Sequence, residues 1–174
     1  SVLSTTYAVG LSSTSRLHAL FVTYEAMPPG AFRLKGEGLK MTWGAAPSPF
    51  GTAVLVTTEY GLAGLGFADA QMTIAEAFED LRLRWPNAQF SRDDAKVAPI
   101  ATRIFDPARW NAEQPVKVVL IGTDFEVSVW QTLLRIPVGK ATTYQTVAEH
   151  IGRPKASRAV GAAVGKNPIS FVVP

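Results

Sequence analysis

Apolar positions along the chain change their period twice. Residues 2–9 place apolar side chains at helical spacing, and Gly10 follows as a terminator. Ser12, Ser13 and Thr14 then offer cap oxygens to a second helix carrying Leu17, Leu20, Phe21 and Tyr24, which Met27-Pro28-Pro29-Gly30 must end. Two helices around a glycine-containing turn fit a helix-turn-helix, although any helical hairpin shares the pattern. From about Gly36 the period shortens. Leu39, Met41 and Trp43 alternate with other positions, as do parts of 52–58 and 62–67, with Glu59-Tyr60-Gly61 as the turn between those two. This spacing predicts a short antiparallel sheet. Thr73 and Glu76 form a capping box that opens a helix through Phe78, Leu81 and Trp85 to Pro86, and 116–121 is a further strand.

The last third is helical again. Thr123 and Glu126 make a second capping box, and the helix behind it sets Phe125, Val129, Trp130, Leu133 and Leu134 on one face before Ile136-Pro137 ends it. Thr142-Thr143-Tyr144 opens a short helix through Val147, Ala148 and Ile151, closed by Gly152. A third helix over 155–165 is rich in small residues: Ala156, Ser157, Ala159, Gly161, Ala162 and Ala163. Asn167-Pro168 forces a turn into an apolar, extended run at 169–173. The pattern divides the chain at 1–34, 36–121 and 122–174, an α+β arrangement with a small α/β unit in the middle.

Of the 174 residues, 47% are apolar and 18% charged, enough to build a core and to rule out wholesale disorder. Apolar runs such as 118–121 and 171–174 fall far short of the roughly 18 residues of a membrane span. The first residues lack the basic flank and apolar stretch of a secretory signal, so the cytoplasm is the expected compartment. Without cysteine these residues hold no disulfide, thiolate metal site or cysteine nucleophile. His18 and His150, the two histidines, argue against a histidine triad or a histidine-rich metal site.

Charge is distributed unevenly. Residues 1–127 hold 11 Lys/Arg against 13 Asp/Glu, whereas 128–174 hold six cations (Arg135, Lys140, Arg153, Lys155, Arg158 and Lys166) against Glu149 alone. A basic segment of that kind is the footprint of a polyanion binder, and equally of a solvated basic face. Within it, the helix over 155–165 offers mostly Ala and Gly, with Arg158 as its principal long polar side chain. A slim helix can approach the minor groove, roughly 6 Å wide, and a projecting arginine can occupy the space of an extruded nucleotide. The same small residues would also pack the helix tightly on a core.

Two runs carry a resemblance. Phe125-Glu-Val-Ser-Val-Trp130-Gln-Thr-Leu-Leu-Arg-Ile-Pro137-Val-Gly139-Lys-Ala-Thr-Thr-Tyr144, continued by Ile151-Gly-Arg-Pro-Lys-Ala-Ser-Arg158-Ala-Val-Gly161-Ala-Ala-Val-Gly-Lys-Asn167-Pro168-Ile-Ser-Phe-Val-Val-Pro174, resembles the O6-alkylguanine-DNA alkyltransferases, without gaps over about 50 residues. Residues 39–118 are more weakly similar to the N-terminal domain of that family. Gly10-Leu-Ser-Ser and Glu25-Ala-Met-Pro-Pro-Gly-Ala-Phe32 are similar to the end of an AraC-type DNA-binding module, an order found in Ada-type bacterial regulators.

The resemblance implies a ribonuclease-H-like α/β domain at 36–121, a helix-turn-helix DNA-binding domain at 122–174 and a partial AraC-type module at 1–34. It implies stoichiometric transfer of an alkyl group from O6 of guanine in double-stranded DNA to a protein cysteine, with no dissociable cofactor and no metal in these residues. Promoter DNA is a further expected partner of the N-terminal module, and no membrane is expected. Carried over by position, Arg158 takes the place of the flipped guanine and Tyr144 lies beside its phosphate. Ala159 and Gly161 belong to the DNA-facing helix. Asn167 is the hinge of the active-site loop, with Val164, Ser170 and Pro174 around the alkyl pocket. Trp130 is a core position.

The family's reactive motif is Pro-Cys-His-Arg, and the sequence ends at Pro174. The nucleophile is expected immediately after it, so these residues alone are expected to be inactive. Three explanations stay open: a piece of a complete enzyme, an alkyltransferase-like lesion binder with tryptophan in place of the cysteine, or a shortened regulator that binds DNA through residues 1–34. An end inside an apolar run favours the first.

Overall fold

A computed structural model describes residues 22–27, 30, 33–137 and 140–174. Among them six strands, β1 (Val22–Ala26), β2 (Lys40–Ser48), β3 (Gly51–Thr58), β4 (Gly61–Ala68), β5 (Gln89–Arg92) and β6 (Val116–Leu120), form one sheet in the order β1-β6-β4-β3-β2-β5. The predicted antiparallel part is the meander β2–β3–β4. Its two turns use the same chemistry: the Ser48 hydroxyl accepts from the Phe50 amide, and the Thr58 hydroxyl from the Tyr60 amide. β5 adds parallel to β2, and β6 joins β4 and β1 in parallel. β3 alternates poorly because it lies inside the sheet, with 53–57 buried on both faces.

Five α-helices follow among the described residues: α1 (Ile74–Arg82), α2 (Asp94–Phe105), α3 (Asp124–Leu133), α4 (Tyr144–His150) and α5 (Ser157–Gly165). Both predicted capping boxes form, at Thr73/Glu76 and Thr123/Glu126. α1 covers one sheet face, where Ala77, Leu81 and Trp85 pack on Met41, Val54, Val56 and Val119. On the other face Val97, Ala101 and Ile104 of α2 share a continuous core with Trp130, Leu133, Val147, Val160 and Ala163 of the last three helices. Each large apolar side chain buried there contributes about 1.5–3 kcal/mol, so the sheet and the helical end are welded rather than tethered.

The sheet unit departs from the sequence expectations at four places. Tyr24 lies in β1, not in a helix: Val22 and Tyr24 are buried while Thr23 and Glu25 are half-exposed, the two-residue period of a strand pairing with β6. The sheet therefore begins before residue 36. The remainder of the expected helical pair, 2–21, lies outside the described residues. α1 stops at Arg82 rather than running through Trp85, whose place before Pro86 disfavours helix and whose side chain is buried instead, its Cβ beside Gly36. α2 was not anticipated, because Pro99 interrupts its interior; Asp93 caps it and Val97, Ala101 and Ile104 anchor it. β5 was missed as well, being a four-residue, mostly polar edge.

Candidate nucleic-acid interface

α4 and α5 stand side by side at the basic end of the molecule. The Thr143 hydroxyl accepts the Thr146 amide at 3.0 Å and starts α4. Gly152, at φ +72, turns the chain, and the Arg153 amide donates to the Ala148 carbonyl at 2.8 Å. α5 then begins without a side-chain cap. Val160 and Ala163 face the core, while Arg158, Ala159 and Ala162 are exposed. The outward face of α5 is thus short side chains and one free-standing guanidinium, uncovered by any described element.

Tyr144 is 54% exposed, and its ring lies on Gly161: a Cβ there would sit 3.0 Å from Tyr144 Cε2. Gly161 therefore serves as the bed of the tyrosine ring rather than as part of the open face. Arg158 and Tyr144 come to the same pair of helices, with Lys140, Arg153 and Lys155 exposed in the segments around them.

Asn167 is half-buried behind α5 and staples the final segment on itself. Its Oδ1 accepts the Ile169 amide at 2.9 Å, and its Nδ2 donates to the Val173 carbonyl at 2.8 Å. The sheet holds the same segment, because the Leu65 amide donates to the Pro168 carbonyl at 2.8 Å and Leu65 bridges Ile169. Val164 is half-buried against the core; Ser170 and Pro174 are exposed. The apolar run at 169–173 was expected to be extended; it forms single bridges with a turn at Phe171 instead of a strand.

The support beneath these helices was only partly legible in the sequence. Trp130 is buried, as expected, and its indole N–H donates to the Ala163 carbonyl at 2.9 Å, tying α3 to α5. Gly122 makes room for it, since a Cβ would lie 2.8 Å from that ring. Glu126 does more than cap α3. Its carboxylate accepts the Thr123 amide at 3.0 Å and the Lys166 ammonium at 3.1 Å. Burial raises its pKa, but the Thr123 amide, the Lys166 ammonium and the Thr123 hydroxyl outweigh that, so the carboxyl titrates below its ordinary value. The Arg84 guanidinium donates to the Lys166 carbonyl, and its own pKa is lowered by burial against the pull of Asp80 and Glu126. His150 is exposed at the end of α4, and His18 lies outside the described residues. Among the described residues no three His, Cys, Asp or Glu gather as a metal site, and no helix is long and apolar enough to cross a membrane.

Comparison with known proteins bears on the same region. Residues 124–174, which hold α3, α4, α5 and the stapled segment, match the family model of the 6-O-methylguanine DNA methyltransferase DNA binding domain. An inducible methylated-DNA–protein-cysteine methyltransferase of Bacillus subtilis is 40% identical over 117 residues, which are 65% of this chain and 64% of the relative. The methylated-DNA–protein-cysteine methyltransferase of Methanosarcina barkeri is 35% identical over 132 residues, 73% of this chain and 75% of its own. The crystal structure of Mycobacterium tuberculosis OGT in complex with DNA superposes with a TM-score of 0.56 at 30% identity, covering 76% of this chain and 74% of that one. The chain thus spans just under two thirds of the Bacillus relative and three quarters of the Methanosarcina one, and on that extent of shared sequence and fold it belongs to the methylated-DNA–protein-cysteine methyltransferases.

Proposed function

We propose that the protein repairs O6-alkylguanine in duplex DNA by direct transfer of the alkyl group to its own cysteine, the residue that follows Pro174. The observation that carries this reading is the exposed face of α5, small side chains around one guanidinium, with the Tyr144 ring bedded beside it. α5 enters the minor groove, where Ala159 and Ala162 allow the backbone close to the sugar edges. Arg158 enters the stack as the damaged nucleotide leaves, which offsets the unstacking cost, and Tyr144 crowds the phosphate of that nucleotide. The flipped base meets Val164, Ser170 and Pro174 around the segment held by Asn167. The thiolate attacks the alkyl carbon: a sulfur–carbon bond forms, the carbon–O6 bond breaks with its electrons going to O6, and the guanine anion so released takes a proton from solvent at N1 to restore guanine. The protein is the acceptor, so the chemistry consumes it and needs no cofactor. The N-terminal α/β unit, a meander extended by parallel strands, is consistent with the expected ribonuclease-H-like arrangement.

The test uses the full protein and a duplex carrying one O6-methylguanine. One methyl group transferred per protein, found on the peptide that follows Pro174, is the expected result. Arg158→Ala should keep the fold, since exposed substitutions shift stability by no more than about 0.5 kcal/mol, and should weaken lesion binding about tenfold. Tight binding of the lesion without transfer would instead identify a lesion binder, and Arg158→Ala binding as well as the parent would remove Arg158 from the mechanism.

A further inference from the structure

Phe171 is the one described aromatic residue with a left-handed backbone, at φ +81. A bulky side chain in that region is uncommon and persists only when its surroundings hold it there. Its surroundings are three further phenylalanines, each from a different part of the sheet unit. Phe105, the last residue of α2, lies 5.2 Å from the Phe171 ring centroid, and Phe50, in the β2–β3 turn, lies 5.4 Å away, edge-on. Phe67 of β4 supports both, at 5.7 Å from Phe50 and 6.0 Å from Phe105. The Phe105–Phe171 pair is tilted at 43° and the other three are edge-on, all at favourable aromatic spacings. The remaining apolar residues of the segment, Ile169, Val172 and Val173, point inward and are buried, so Phe171 alone reaches out to these rings.

We propose that Phe50, Phe67 and Phe105 form an aromatic latch that grips Phe171 and thereby positions the chain at Pro174. The inference rests on the repair reading for its consequence, because that reading places the nucleophile directly after Pro174. Two anchors then fix the segment to the sheet unit. One is the Leu65 amide on the Pro168 carbonyl; the other is the latch, three residues and at most about 11 Å of chain before Pro174. The Asn167 staple reaches Ile169 and Val173, one on each side of Phe171, and so links the latch to the anchor at Pro168. The face that carries Arg158 and Tyr144 belongs to α4 and α5, and none of the latch rings comes from them. Phe171 and its partners are positioning residues: they act through the segment and touch no DNA.

The test separates positioning from binding. In Phe50→Ala, and in Phe171→Gly, which accepts the left-handed backbone but has no ring, the Ile169 and Val173 amides should exchange with solvent about tenfold faster, while Val54 and Val56 in β3 exchange as before. Single-turnover transfer from O6-methylguanine duplex should slow about tenfold or more with the dissociation constant for that duplex unchanged. Phe50→Tyr, which keeps the ring, should restore both. Unchanged exchange at Ile169 and Val173 in both ring-deleted variants overturns the latch, as does a rate loss matched by an equal loss of affinity. Should the parent protein transfer no methyl group, the repair reading fails, and the exchange measurement still decides whether the latch exists.

Discussion

Gly161 shows how one missing carbon decides a site. In the middle of a helix, glycine costs about 0.5–1 kcal/mol relative to alanine, so composition alone marks the position as a weakness. The structure supplies the reason: the ring of Tyr144 occupies the space of a Cβ. In Gly161→Ala the gain in helix propensity and the clash with a ring free to swing outward should nearly cancel, leaving unfolding free energy within about 1 kcal/mol of the parent. Lesion binding should nonetheless fall several-fold, because the Tyr144 ring no longer lies on α5 at Gly161, about one helical turn from Arg158. Denaturant unfolding and a duplex titration on the same sample check both halves; a large stability loss with binding intact would contradict this account. Residue type marked Arg158 and the family resemblance marked Tyr144, but the pairing of Tyr144 with Gly161 spans 17 positions and was visible only after folding.

At the scale of elements, α3 is the hub, and its charge chemistry makes the assembly pH-dependent. Glu126 caps the helix, holds Lys166 just beyond α5, and titrates below its ordinary value in the folded chain. A carboxyl depressed by folding contributes stability that is complete above its unfolded pKa of about 4.3 and is lost as pH falls through the lower folded value. Glu126→Gln should therefore destabilise the protein by about 1 kcal/mol at neutral pH, through the weakened cap, and should flatten the acid limb of stability against pH below about 4.3. Unfolding midpoints from pH 3 to 7 measure this; parallel curves for parent and variant would show that Glu126 contributes nothing through its charge. The cap itself was legible as Thr-x-x-Glu. Lys166, 40 residues away, was not, because a capping box says nothing about what packs over it.

For the whole molecule, the asymmetry of charge between the sheet-bearing part and the last 47 residues survives folding as a basic face around α4 and α5. Duplex affinity should fall steeply with salt, since each neutralised phosphate contributes a slope of about 0.9 in log K against log salt. Lys155→Ala should reduce that slope by about 1 and weaken lesion-bearing and undamaged duplex equally, in contrast to Arg158→Ala. Anisotropy titrations at several salt concentrations distinguish them, and a slope insensitive to Lys155 would place that side chain away from the backbone. The continuous core explains why such a face can be rigid: α3–α5 share buried residues with α2 and the sheet.

What the sequence determined was local and periodic: the meander strands, both capping boxes, the breaks at Pro137 and Gly152, the small-residue helix and the charge of its surroundings. These follow from interactions within a few residues of one another, or from alternation that one strand displays by itself. What the tertiary structure alone decided was non-local. β1 is a strand because β6 lies beside it, α2 survives Pro99 because the sheet buries its apolar stripe, and the last segment takes its shape from Leu65 and four phenylalanines drawn from three distant parts of the fold and from the segment itself. Short-range patterning records which side chains seek burial; only packing settles what they are buried against.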